Sequence, residues 1–147
     1  MTKQKNKIGI ASDHAGFDMK STLQNDLQNI SWIDYGAYNA DSTDYPLYAQ
    51  KVAHAIQKNE INFGILICGT GIGMSIAANR YRGVRAALCS SRDFAIMSRK
   101  HNNANVLILP GKIISVDLAL EIVKIFLNTE FEGGRHLRRI SLIEEIE

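Results

Sequence analysis

Cysteine is scarce in this chain, with two residues, Cys68 and Cys89, among 147. Two cysteines cannot build the disulfide framework of a small secreted domain. No apolar run approaches the length of a membrane span, and the first residues lead into a predicted strand without the apolar core of a signal peptide, so we expect a cytoplasmic protein without a membrane partner. The net charge is only +2 and no basic run is interleaved with aromatic residues, which argues against a nucleic-acid partner.

The rest of the composition is that of an ordinary folded globule. Hydrophobic residues make up 46% of the chain and charged residues 22%, as in most globular domains. A chain of this length can bury a substantial core as one unit. Because it contains no internal repeat, low-complexity tract or Ser/Gly-rich linker, we predict a single domain over residues 1–147.

Short apolar runs alternate with helical patterns five times along the chain. The predicted strands are Lys7–Ser12, Ile30–Tyr35, Phe63–Cys68, Val84–Cys89 and Asn105–Leu109. The first helix is predicted from the spacing of Met19, Leu23, Leu27 and Ile30, and a last, amphipathic helix carries Leu137, Ile140 and Ile143. This alternation predicts an α/β fold, in which a parallel sheet is covered by helices on both faces and joined by right-handed crossovers.

The stretch Phe63–Ser75 is the most informative part of the sequence. An apolar strand ends at Cys68 and is followed by glycines at alternate positions, Gly69, Gly71 and Gly73, before a helical pattern resumes. Glycines at this spacing let backbone N–H groups converge on an anion without interference from side chains. The start of the following helix adds further free N–H groups. We therefore predict an anion-binding loop beside a thiol that is drawn toward its thiolate form.

Polar residues at the carboxyl ends of strands are the candidates for a binding site, because ligands of open α/β sheets bind there. Asp13 and His14 follow the first strand, as Cys68 ends the third. His101 and Asn102 instead precede the fifth strand, at the opposite edge of the sheet. A functional His101 would therefore reach the site of a neighbouring subunit, which favours an obligate dimer.

The side chains gathered by this pattern suit proton transfer on a small phosphorylated molecule. Arg135 and Arg139 stand four residues apart, so on a helix they share a face and can hold one phosphate. A thiolate could remove a proton beside a carbonyl group while backbone N–H groups hold the resulting enediolate. No group of residues in the sequence indicates a redox centre or a metal site.

Other classes of protein fit this pattern less well. A dinucleotide-binding domain carries its glycine fingerprint in the first strand–helix turn, which here reads Ser-Asp-His-Ala-Gly. A phosphate-loop nucleotidase needs a lysine after the glycines, where this chain has Met74. A receiver domain would end its third strand on an aspartate. A non-catalytic protein that binds sugar phosphates would show the same binding residues and stays open.

Five motifs in order resemble the type B ribose-5-phosphate isomerase family, which also includes galactose-6-phosphate and allose-6-phosphate isomerases. The motifs are Ser12–Gly16, Thr43–Pro46, Ile67–Gly73, Arg99–Val106 and Glu132–Arg139, and the resemblance extends from Ile8 to about Ile143. It implies a three-layer Rossmann-like domain with a five-stranded parallel sheet, active as a homodimer or a dimer of dimers with shared active sites. It implies no metal and no organic cofactor.

The resemblance also implies roles for single residues. Cys68 would move the proton between C1 and C2, and Thr70 and His101 would assist opening of the sugar ring, with His101 donated by the partner chain. The substrate-binding residues would be Asp13, on the sugar hydroxyls; His14, Arg135 and Arg139, on the phosphate; the backbone of Gly69, Gly71, Ile72 and Gly73, on the oxyanion; and Asn102 and Lys112, in the same cavity.

Two positions depart from the family pattern. Some members carry a glutamate as base where this chain has Met74, so here the role of base falls to Cys68. Lys112 replaces an arginine of several ribose-phosphate members with a point charge, which leaves the choice between five- and six-carbon sugars open. We expect Cys89 to pack in the core and His54 and His136 to lie on the surface.

Overall fold

The computed structural model describes residues 5–146, which form one parallel sheet flanked by helices. The strands are β1 (Lys7–Ser12), β2 (Ser31–Asp34), β3 (Phe63–Cys68), β4 (Ala86–Leu88) and β5 (Val106–Pro110). The α-helices are α1 (Phe17–Asp26), α2 (Tyr45–Gln57), α3 (Ile72–Ala78), α4 (Arg92–Lys100), α5 (Val116–Asn128) and α6 (Arg135–Glu144). A single 3-10 turn, His14–Gly16, joins β1 to α1.

The strands lie in the order β2-β1-β3-β5-β4, and every neighbouring pair is parallel. The predicted α/β fold with a five-stranded parallel sheet is therefore confirmed. The chain moves from β1 outward to β2 and then returns to place β3 on the other side of β1. Such a reversal opens a crevice beyond the carboxyl ends of β1 and β3, where ligands of this fold class bind. Asp13 and Cys68 lie at this crevice.

Alternate residues of each central strand face opposite helical layers. In β3, Ile65 and Ile67 belong to the apolar cluster formed with α1, α4 and α5, whereas Leu66 and Cys68 belong to the cluster formed with α2 and α3. Burial on both faces explains the continuous apolar runs of the sequence. It also gives the thiol of Cys68 a defined direction, toward the α3 side of the sheet.

Two predicted element boundaries are wrong. The spacing that placed Ile30 on the first helix fails because α1 ends at Asp26, and Ile30 lies in the turn before β2. The fourth strand is shorter than predicted, since β4 lies at the sheet edge and pairs only with β5 over Ala86–Leu88. Within residues 5–146, no helix combines the length and apolar character needed to span a bilayer.

Candidate active site

The glycine-rich loop after β3 has a backbone that requires glycine. Gly71 has φ +79°, in the left-handed region that side chains disfavour. A Cβ atom there would stand 2.5 Å from Cδ1 of Leu88, and one at Gly73 would stand 2.5 Å from Cζ of Tyr45. The loop is therefore held closely against β4 on one side and against the start of α2 on the other.

Several backbone N–H groups of this loop are free to bind an anion. Among the described residues, the N–H groups of Gly69, Thr70, Gly71 and Gly73 have no hydrogen-bond acceptor. The Ile72 N–H donates to Oγ1 of Thr70 at 3.2 Å, so this predicted oxyanion donor is engaged within the loop. The remaining donors are the ones that the loop presents beside Cys68.

The two cysteines differ in their surroundings. Cys68 is 5% exposed and ends β3 immediately before the glycine loop. Cys89 is buried in the apolar cluster beneath α4 and α5, as predicted, and this burial raises the pKa of its thiol to about 11, although a hydrogen bond with Ser98 acts in the opposite direction. Cys89 therefore stays a protonated core residue at neutral pH.

Asp13 and His14 lie next to this loop at the end of β1. Asp13 is 6% exposed, and its Oδ1 accepts the N–H of Gly16 at 3.1 Å, while its own N–H donates to the carbonyl of Ile67 in β3. His14 is exposed, and its Nδ1 lies 3.2 Å from both the backbone nitrogen and the carbonyl oxygen of Thr43, so the tautomer decides which of them it binds. When that amide donates to Nδ1, the proton of a neutral ring is on Nε2, which can then donate to a phosphate oxygen.

Lys112 is brought to the same edge by the turn after β5. The N–H of Gly111 donates to the carbonyl of Cys68 at 2.8 Å, and the N–H of Lys112 donates to the carbonyl of Gly69 at 2.9 Å. The lysine side chain passes over Gly69, where a Cβ atom would lie 3.7 Å from its Cδ. The structure therefore brings together Cys68, Thr70, Asp13, His14 and Lys112 with the glycine loop.

His101, Asn102, Arg135 and Arg139 lie at the opposite edge of the sheet. His101 follows α4, which runs back toward the starts of the strands. Helix α6 lies at the same edge, because its Glu144 is ion-paired at 2.7 Å with Arg85, just before β4. Asn102 and Arg85 line a surface cavity of about 420 Å³ at this edge. Arg135 and Arg139 are exposed on α6 and form no ion pair within residues 5–146. Within one chain these four predicted site residues do not reach Cys68.

The prediction that His136 lies on the surface is wrong. Its side chain is buried, with the residue 7% exposed, and its ring stacks on that of His101, with centroids 4.3 Å apart and planes inclined by 15°. Nε2 of His136 lies 3.6 Å from the carboxylate of Glu132. Sequence patterns could not show this contact, because His101 follows α4 and His136 lies in α6, two elements that meet only in the folded chain.

Three residues of this edge are of metal-binding types, but their arrangement does not suit one ion. Ligating atoms of His101, Glu132 and His136 lie within 4.8 Å of one another. A metal ion lies close to the plane of each imidazole that binds it, whereas two nearly parallel stacked rings direct their lone pairs side by side. The three residues therefore form a ring stack with a carboxylate beside it.

Sequence reasoning also missed residues that support the carboxyl edge. The ring of Tyr45 packs on Gly73, and Thr43 binds His14 through its backbone. Lys20 is buried and pairs with Asp34 at 2.8 Å while donating to the carbonyl of Ala37, which fixes the segment between β2 and α2. A lysine in the middle of an amphipathic helix gives no sign in the sequence that it is buried.

The free amides, the thiol and the basic side chains at the carboxyl edge define an α/β enzyme for a small anionic substrate. Comparisons with known proteins agree. Residues 8–143 match the family described as Ribose/Galactose Isomerase. The chain is 43% identical over 143 residues to ribose-5-phosphate isomerase B of Escherichia coli, covering 96% of each chain.

Solved structures of similar proteins have the same fold. A ribose 5-phosphate isomerase of Thermotoga maritima is 56% identical, with a TM-score of 0.95 over 97% of this chain and 100% of the other. Ribose-5-phosphate isomerase B of Mycoplasma genitalium, solved with bound ribulose 5-phosphate, is 43% identical, with a TM-score of 0.89 over 94% and 93% of the two chains. The chain belongs to the ribose/galactose isomerase family and is a sugar-phosphate isomerase.

Proposed function

We propose that this enzyme interconverts ribose 5-phosphate and ribulose 5-phosphate, with Cys68 as the base. The observation that carries the proposal is the position of Cys68 directly before a loop whose backbone N–H groups are free. A base and a row of fixed donors are the two elements that proton transfer beside a carbonyl requires. The names of the relatives described above support the same substrate pair.

The reaction follows from these two elements. The thiolate of Cys68 takes the proton from C2 of the open-chain aldose, and the electrons of that C–H bond form the C1=C2 double bond of an enediolate. The former carbonyl oxygen, O1, then carries the negative charge, which the loop amides stabilise. The proton on O2 then passes to O1, and Cys68 returns its proton to C1, which gives the ketose with a C2=O carbonyl and restores the thiolate. Asp13 would hold sugar hydroxyls, and Thr70 would assist opening of the ring.

We further propose that the active site is completed by a second copy of the chain in a homodimer or a dimer of dimers. His101, Asn102, Arg135 and Arg139 would enter the partner's site from the amino edge, where His101 assists ring opening and the arginines hold the phosphate with His14 and Lys112. Exposed apolar side chains beside both halves support an interface: Ile72 and Ile76 on α3, and Leu137 and Ile143 on α6. Leu137 and Ile143 are 55% and 53% exposed in the single chain.

A six-carbon sugar phosphate is the second candidate substrate. Lys112 stands where several ribose-phosphate members have a bidentate arginine, and it places a flexible point charge over Gly69. This is compatible with a phosphate held at a different distance.

We also propose that the enzyme acts in the cytoplasm, in the pentose phosphate pathway. Two unpaired thiols suit a reducing compartment.

Substitution of the two cysteines tests the proposed base. We expect Cys68→Ala to lower kcat for ribose 5-phosphate by about a hundredfold or more, as removal of a general base does. Cys89→Ala is the matched control, since that thiol is buried away from the loop, and it should keep the wild-type kcat. The assay follows ribulose 5-phosphate formation, beside a panel of phosphorylated hexoses.

Full activity of Cys68→Ala would show that another group is the base. Binding of ribose 5-phosphate by the wild-type protein without any ribulose 5-phosphate formation would instead support a sugar-phosphate sensor. Faster turnover of a hexose phosphate would favour the six-carbon substrate.

A further inference from the structure

The ring of His101 has a neighbour on another helix that fixes its orientation. His101 follows the last turn of α4, where its N–H donates to the carbonyl of Met97 at 2.9 Å, so its backbone is held by the helix end. The imidazole itself is half-buried and lies face to face with that of His136. Stacking on a flat partner removes most rotations of the second side-chain torsion.

His136 is in turn held by contacts that continue into the backbone. Its carboxylate neighbour, Glu132, donates its own N–H to the carbonyl of Lys100 at 3.1 Å, so the segment before α6 is tied to the residue preceding His101. Gly133 and Gly134 have φ of +71° and +59°, which lets the chain turn sharply from Glu132 into α6. The contact between Glu132 and His136, the turn and the ring stack therefore form one closed unit.

Burial and the charges around His136 favour the neutral form of its ring. Burial lowers its pKa, and the neighbouring His101, Arg135 and Arg139 act in the same direction, opposed only by Glu132. A neutral imidazole can remain stacked on His101 in either protonation state of that ring, because it adds no repelling positive charge. The stack can thus persist while His101 exchanges a proton.

We propose that His136 is a positioning residue, which holds the imidazole of His101 in the orientation that its proton-transfer role requires, with Glu132 fixing His136. The inference rests on the proposed role of His101 in the site of the neighbouring copy. It assigns a function to a residue that contacts no substrate and acts only through His101.

Kinetics of four variants and one double variant test the proposal. We expect His136→Ala to lower kcat by about tenfold, since a loosened catalytic group is misplaced for much of the time, and to change KM for ribose 5-phosphate less than about twofold. His136→Phe keeps a flat ring and should recover most of the lost kcat. His101→Ala with His136→Ala should be no slower than His101→Ala alone. His54→Ala, which removes an imidazole packed edge-on against Tyr81, is the control and should match wild type.

Three results would overturn the proposal while leaving the proposed function intact. One is wild-type kcat in His136→Ala when His101→Ala is impaired. Another is an equal loss from His136→Ala in the presence and absence of His101, which would place the effect elsewhere. The third is a rise in KM alone, which would assign His136 to the phosphate arginines. Full kcat of His101→Ala would instead refute the proposed role of His101, and with it this inference. Unfolding midpoints of His136→Phe and His136→Ala identify a loss of kcat that comes from misfolding.

Discussion

The two edges of the sheet carry different kinds of polar side chain. The carboxyl edge presents a nearly buried thiol, free backbone amides and a single lysine. The amino edge presents two exposed arginines four residues apart and a stacked pair of imidazoles. A sugar phosphate needs neutral donors and a base at its carbonyl end and fixed cations at its phosphate end. Under the proposed roles, each chain carries the base and amides at one edge and the α6 arginines and His101 at the other, so a whole site would need two chains.

The activity of mixed dimers should show the largest effect, and it tests whether the two edges act together in one site. Cys68→Ala and His101→Ala chains should each be nearly inactive alone. A dimer with one chain of each kind contains one site in which both residues are intact, so it should recover about half of the wild-type turnover per dimer. Differently tagged chains can be co-expressed, and the mixed species purified by two affinity steps and assayed.

A site built within one chain would behave differently in the same experiment. Each site of the mixed dimer would then lack one residue, and activity would stay at the level of the separate variants. The dimer of two Cys68→Ala chains, carrying both tags, is the control for the purification.

Substitution of the α6 arginines tests whether the amino edge binds the phosphate of the substrate. We expect Arg135→Ala to raise KM for ribose 5-phosphate by about tenfold or more with little change in kcat, because a charge-assisted hydrogen bond to the phosphate forms equally in the ground and transition states. Arg138→Ala removes the same charge from a neighbouring exposed position of the helix and serves as the control. Steady-state kinetics at matched ionic strength measure both.

A fall in kcat at saturating substrate with unchanged KM in Arg135→Ala would contradict this assignment. Equal effects of Arg135→Ala and Arg138→Ala would show that net charge, rather than one phosphate contact, governs binding.

The smallest expected effect is a pH dependence of folding stability that comes from the buried imidazole of His136. Its pKa is lowered in the folded state, chiefly by burial, so below the ordinary imidazole pKa the unfolded chain binds more protons than the folded one. This contribution to stability is complete above that pKa and is lost as the pH falls. The urea midpoint should therefore decline between about pH 7.5 and about pH 5.5 less steeply in His136→Phe than in wild type. Parallel declines in the two proteins would contradict the prediction.

Local patterns predicted the elements that are buried on both sides. The strands Lys7–Ser12 and Phe63–Cys68 appear where their apolar runs placed them. The glycine loop was also predictable, because Gly71 adopts a backbone conformation and a close approach that only glycine tolerates. The conformation of such elements depends on residues that are close together in the sequence.

The errors come from contacts between distant parts of the chain. The end of β4 depends on pairing with a single neighbour, β5, and the burial of His136 depends on the ring of His101. Lys20 of α1 is buried because Asp34 of β2 compensates its charge. None of these partners can be found from periodicity, which describes one element at a time.

Met74 lies in the first turn of α3 and is fully buried, in the same apolar cluster as Cys68. A carboxylate at this position would lose its hydration among aliphatic side chains, a substantial free-energy cost unless the surroundings changed with it. A carboxylate at position 74 of this chain would therefore need changes in the side chains that pack around Met74.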